Sequence, residues 1–166
     1  MSWVDHSPKK SVQKSGTCVI DIEELRRTAT LQDRDVRLIP KPFDSWFEVD
    51  VFLRIADRGY RVIPQFEAAG YYIDLVVEGL RGRMAVECDG DKFHGPEKFA
   101  DDMARQQELE RCGWRFWRVR GSTFYRNPES ALSSLWLTLE KAGIVPSSVL
   151  MDSAERPGTI GEDQPL

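Results

Sequence analysis

The stretch AVECDGDKFHG, residues 85–95, places Glu87, Asp89, Asp91, Lys92 and His94 close together behind an apolar run. Carboxylates gathered this way repel one another unless a cation or a proton joins them. A further carboxylate, Asp74, stands in the preceding apolar run YYIDLVVE. The two runs are separated by GLRG, and that pattern predicts a β-hairpin. With Gly79–Gly82 as the turn, Glu78 pairs with Arg83. Ile73 then faces Cys88, Leu75 faces Val86 and Val77 faces Met84, an apolar face that a shift of one residue would destroy. On the other face Val76 meets Ala85 and Asp74 meets Glu87, with Asp89 two residues further on. Directly opposed side chains have Cβ atoms about 5 Å apart, and like charges there destabilise a sheet. A divalent cation is the natural compensation, because Mg²⁺ is held by one or two carboxylates together with water and phosphate oxygens.

Other groups could serve the same chemistry. Glu48 lies among Val51, Phe52 and Ile55, so its acid either points toward the sheet or closes a capping box with Ser45. Both roles are compatible. His94 follows the carboxylate strand and is placed to act as a general base or to orient water; its plainer role is a turn histidine capping the next helix. Lys92 either supplies positive charge to a phosphoryl transition state or is a solvated loop residue. Asp91 reads as a turn residue, and Gln65 as a polar contact to substrate or an ordinary strand end. Between Arg111 and Arg126 five arginines alternate with Trp114, Phe116, Trp117, Phe124 and Tyr125, with no acidic residue among them. The aromatics read mainly as core, whereas Arg118 and Arg120 are candidates for phosphate contact.

The elements that must position these groups are legible in the pattern. A helix is expected over 43–59, capped by Asp44 or Ser45, with Phe47, Val51 and Ile55 in one row. Strands follow over 60–66, 71–78 and 83–89, and Pro64 argues that the first is an edge strand or bulged. A helix over 96–112, a strand over 114–120 and a helix over 127–143 with Leu132, Leu135, Trp136 and Leu139 on one face complete the order α-β-β-β-α-β-α. Helices flanking a mixed central sheet give an α/β fold. The packed domain is expected over 41–145. A poorly ordered or loosely attached segment precedes it over 1–40, and a disordered tail follows over 146–166.

The 166 residues carry a formal charge of −4, with 41% hydrophobic and 30% charged residues, an ordinary balance for a globular domain. That charge argues against coating nucleic acid by bulk electrostatics. No apolar run is long enough to span a membrane, and no signal peptide is visible. Cys18, Cys88 and Cys112 form no metal or disulfide spacing; Cys88 and Cys112 read as small core residues, and a cytoplasmic setting is expected. Phosphate-cradling glycine loops and other common catalytic motifs are absent.

An αβββαβ core carrying Glu48, Asp74 and Glu87 resembles the PD-(D/E)XK nuclease superfamily. The run of ID, ExDGxxxH, a helix with Asp102, Arg105 and Leu109, then GW and an arginine-rich strand is similar to its very-short-patch-repair-like, restriction-endonuclease-like domains. Such domains often stand at the C-terminus of bacterial helicase or ATPase proteins. The resemblance covers roughly Phe43 to Gly143. It implies a metal-dependent DNA endonuclease of repair or of defence against foreign DNA, using Mg²⁺ or Mn²⁺, with a helicase or ATPase as partner or fused region. Asp74 and Glu87 would bind the metal, with Glu48 assisting. Where the superfamily has lysine this chain has Asp89, which is then a further metal ligand, and the lysine's role passes to His94 or Lys92. Gln65, Arg105, Arg118 and Arg120 are the expected DNA contacts. The alternative is a catalytically inactive nucleic-acid-binding or protein-interaction module of the same fold.

Overall fold

The computed structural model describes residues 20–30, 34–90 and 96–147. Among the described residues five α-helices, α1 (Ile22–Ala29), α2 (Trp46–Asp57), α3 (Pro96–Arg111), α4 (Gly121–Arg126) and α5 (Pro128–Lys141), and a short 3-10 helix (Val36–Leu38) surround four strands. The strands are β1 (Arg61–Ala68), β2 (Tyr71–Gly79), β3 (Gly82–Asp89) and β4 (Phe116–Arg120), in spatial order β1-β2-β3-β4. The first two pairings are antiparallel and β3–β4 is parallel, so the sheet is mixed.

Local chemistry explains the hairpins. Ala69 and Gly70 both have positive φ, +50° and +78°, the geometry of a two-residue turn whose twist matches the strands it joins. The second turn is Leu80-Arg81, flanked by the pair Gly79↔Gly82. A Cβ at Gly79 would lie 3.1 Å from the Ile144 backbone, a contact so tight that Ile144 would have to shift to admit it. Glu78 pairs with Arg83 as expected, and the register holds as far as Leu75↔Val86. Pro64 lies on the outer strand, where its missing donor costs no ladder bond. The parallel return to β4 requires a crossover, and α3 supplies it.

Both faces of the sheet are buried. Leu75, Val77, Met84, Val86 and Val119 pack with α1, α2, α4 and α5. Val76, Ala85 and Phe116 pack with Leu109 of α3. Ile73 departs from expectation. It joins the α3 side with Phe66, its partner on β1, rather than the side of Leu75 and Val77. The alternation breaks at Asp74, opposite Gln65, whose φ of +48° falls in the left-handed region. A strand bent there turns over, carrying Ile73 to the other face.

Three other expectations need correction. Residues 22–29 are not loosely attached: α1 buries Leu25 and Ala29 in the main core. Its apolar side is narrow, two residues on a charged helix, which is why its pattern reads as weak. Cys112 is exposed, while Cys88 packs against the core. The turn of helix α4 after β4 was not expected; it buries Phe124 in the same core. Lys92, His94, Asp91 and Cys18 lie outside the described residues.

Replacing Leu25 by Ala should destabilise the domain by about 2–5 kcal/mol, the usual cost of truncating a fully buried leucine. A shift of the urea midpoint measures it; an unchanged midpoint would mean that α1 is not docked.

Candidate active site

Three acids converge where β2 and β3 part, each delivered by a different element. Glu48 is placed by the start of α2. Ser45 caps that helix, accepting the Glu48 N–H at 3.1 Å. In return Glu48 Oε1 accepts from Ser45 Oγ at 2.9 Å, and Oε2 accepts from the Asp44 N–H at 3.1 Å. Gln65 Nε2 donates to Oε2 from the sheet at 2.9 Å. Glu48 therefore closes a capping box and also faces the sheet, at 5% exposure. Gln65 is the strand residue in the left-handed region, a conformation costing about 1 kcal/mol or more in a non-glycine residue. That bend turns its amide onto Glu48.

Asp74 sits opposite the bend. Beyond Leu75↔Val86 its carboxylate replaces a ladder acceptor, with Oδ2 taking the Cys88 N–H at 2.8 Å. Burial pushes Asp74 up to about 7, and the neighbouring Glu87 charge adds to the rise. Glu48 contributes in the same sense, while the Cys88 N–H and Arg105 pull the other way. Burial and the same acids also push the Cys88 thiol well up, which leaves it a poor nucleophile at neutral pH.

Glu87, 5% exposed, is held by Arg105 of α3. The guanidinium forks across both carboxylate oxygens, with Nη2 at 3.0 Å from Oε1 and Nη1 at 3.3 Å from Oε2. Nη2 also donates to the Tyr72 carbonyl. Arg105 was expected to contact DNA; here it is committed to the neighbouring acid. Burial opposes its charge, but the hydrogen bonds and charge of Glu87 outweigh that and raise its pKa.

Asp89 is not brought into this group. Its Oδ1 accepts from Arg118 at 2.9 Å, and Arg118 also donates to Gln106 of α3 at 2.8 Å. On the β3–β4 pair Arg118 stands opposite Glu87 and reaches diagonally to Asp89, and the two neutralise each other, so neither expected role, metal ligand or phosphate contact, is free in this arrangement. Arg120 is exposed at the end of β4 and makes no ion pair among the described residues.

The sequence offered no sign of Gln106, of the Tyr72 carbonyl, or of Ser45 as a donor to Glu48 beyond its capping pattern. All three act through tertiary contacts. Two open clefts, of about 490 and 360 Å³, lie at the opposite end of the sheet, lined by Trp114 and Arg115. They hold none of the converging acids.

The donor set suits a hard divalent cation. It is made of oxygens alone, and one guanidinium faces three acids. Asp74 Oδ1 accepts no hydrogen bond among the described residues. The high pKa of Asp74 comes first from desolvation and then from the Glu87 charge beside it. No three acids, histidines or cysteines among the described residues come close enough to enclose an ion by themselves.

A mixed four-stranded sheet flanked by helices, with acids where the central hairpin opens, defines a restriction-endonuclease-like domain. Residues 47–139 match the REase_MTES_1575 family, more than half of the 166-residue chain, and the chain belongs to that restriction-endonuclease-like family. No curated protein and no solved structure matches the chain. No helix of the described residues is long and apolar enough to cross a membrane.

The raised Asp74 has a consequence for stability. From 3.8 to about 7 the unfolded chain is ionised at Asp74 while the folded chain keeps its proton. The folded state binds the extra proton, so this group makes stability fall as pH rises through that window. At about 1.4 kcal/mol for each pH unit, full ionisation costs the fold on the order of 4 kcal/mol. Asp74→Asn, which keeps an acceptor for Cys88, should raise the melting temperature in chelator at pH 8 and change it little at pH 4. An equal gain at both pH values would contradict the electrostatic cause.

Proposed function

We propose that this chain is a metal-dependent DNA endonuclease domain. The observation behind this reading is the convergence of half-buried Asp74 and buried Glu87 where β2 and β3 separate, with Asp74 pushed up to about 7 by desolvation and by the Glu87 charge beside it. The family match supports it, since a restriction-endonuclease-like domain takes DNA as its expected substrate.

Asp74 and Glu87 are the residues that would hold Mg²⁺ or Mn²⁺. When bound, the ion lowers the pKa of a coordinated water and stabilises charge on the scissile phosphate. Asp74 serves only as a carboxylate and must give up its proton. Glu48 stands beside it, fixed by Ser45, Asp44 and Gln65, and thus restrains where Asp74 and its water shell can move. Arg120, exposed at the end of β4, is the strand arginine assigned to a phosphate. His94 and Lys92 follow β3 closely in sequence and are assigned the orientation of water and the neutralisation of phosphate charge. Asp89 acts as a ligand only if Arg118 releases it. With a net charge of −4, the domain holds DNA weakly and in a salt-sensitive way, so targeting falls to a helicase or ATPase acting in repair or defence.

The test is cleavage of single-stranded and duplex DNA in Mg²⁺ and in Mn²⁺. Asp74→Ala and Glu87→Ala should each lower the rate by on the order of 10³-fold, as loss of a transition-state contact does. Cleavage that survives both, or that needs no metal, refutes the reading. Salt-dependent DNA binding without cleavage by the wild type would instead favour an inactive binding module. Arg120→Ala should weaken binding to all sequences alike and lower the slope of log K against log salt by about 1. An unchanged slope would remove Arg120 from the interface.

A further inference from the structure

Arg105 raises a question that the proposed chemistry leaves open. A cation held by Glu87 must approach oxygens that already carry both arms of a guanidinium, at 3.0 and 3.3 Å. Neither partner is an ordinary surface charge: the Glu87 side chain is 6% exposed and that of Arg105 is 20% exposed. An uncompensated acid at such a site is strongly destabilising, which explains why the ion-free protein needs a counter-charge there. Arginine meets that need with two parallel hydrogen bonds. Its third contact, to the Tyr72 carbonyl, is neutral and exposed, and it leaves the guanidinium at the rim of the site two residues from Asp74.

Two cations cannot both take the full charge of one carboxylate. We propose that Arg105 is the site's internal counter-ion: it stands on Glu87 in the ion-free protein, yields that carboxylate to the divalent cation, and passes its guanidinium to a non-bridging oxygen of the DNA phosphate. The proposal rests on the metal-nuclease reading and adds to it a coupling between two ligands. Without DNA the cation has to displace Arg105, so it binds weakly. With DNA the displaced guanidinium gains a new anionic partner, and each ligand strengthens the other by the same factor. Arg105 is thus a positioning residue in the ion-free state and a phosphate contact in the loaded one. The Asp102 charge, three residues earlier on α3, adds to the pull on Arg105 without being bonded to it.

Calorimetric titration of the full chain with Mn²⁺ at pH 8, without DNA, separates the possibilities. Arg105→Gln removes the competing charge and keeps a donor for the Tyr72 carbonyl. It should bind Mn²⁺ at least about tenfold more tightly than the wild type. In Ca²⁺, its affinity for a short duplex should fall several-fold, and the gain in Mn²⁺ affinity on adding DNA should shrink. Arg105→Lys keeps the charge but cannot span both oxygens, and should fall between the two; it serves as the measured variant if Arg105→Gln does not fold. Mn²⁺ affinity unchanged or weakened in the folded variants would overturn the proposal and leave Arg105 as a clip between α3 and the sheet. Asp74→Asn tells the two failures apart. If it abolishes Mn²⁺ binding while the Arg105 variants behave as wild type, the metal site stands and the exchange does not. If no variant and no wild type binds Mn²⁺, both readings fall.

Discussion

Two acids, one buried and one half-buried, at the parting of one hairpin are the constraint around which this domain is arranged. Like charges in a medium less polar than water repel strongly, and a sheet tolerates them only with a proton, a counter-charge or a cation in reach. The structure uses the first two. Asp74 keeps a proton up to about pH 7, and Glu87 takes the guanidinium of Arg105. Neither solution is available from within the hairpin. The counter-charge comes from α3, which the chain reaches only after leaving β3.

The surrounding elements share that dependence. The bend at Gln65 interrupts both strands at the level of Asp74, frees the Asp74 carboxylate to take the Cys88 N–H, and sends the Gln65 amide to Glu48. The same bend moves Ile73 to the α3 side, where it packs with Leu109 and seats the helix carrying Arg105. Capping of α2 by Ser45 ties Glu48 down at the same place. A local backbone distortion, a helix cap and an ion pair thus act on one small region. Further out, Asp89 and Arg118 balance each other and, through Gln106, bind β4 to α3 as well.

The family match ends at residues 47 and 139, but the folded unit does not. Ser45, which positions Glu48, lies before it, as does α1 with buried Leu25 and Ala29. Ile144 lies after it and packs against Gly79 at the turn of the central hairpin. The flanks therefore complete the core and the helix cap, while the matched region carries the sheet and the acids.

Much of this was legible in residue patterns alone. Alternation in 71–78 and 83–89 determined the hairpin register as far as Leu75↔Val86, because any slip would have exposed one apolar face there, whereas the expected pairs Asp74–Glu87 and Ile73–Cys88 do not form. Ser45-x-x-Glu48 determined the cap, since a serine and a glutamate three apart satisfy each other at a helix start. The edge position of β1 followed from Pro64. Pattern could not show the fates of Arg105, Arg118 and Asp89. All three were read as groups free to meet DNA or metal, and each is engaged by a residue distant in sequence, Arg105 with Glu87 and Arg118 with Asp89. The facing of Ile73 also escaped, because one left-handed residue on the neighbouring strand reversed an alternation that the sequence of β2 itself continues unbroken. Periodicity is a property of a single segment and can be read from it. Charge pairing and strand bending arise between segments, so only the tertiary structure decided which acids meet, which arginines are spent on them, and that α1 belongs to the core.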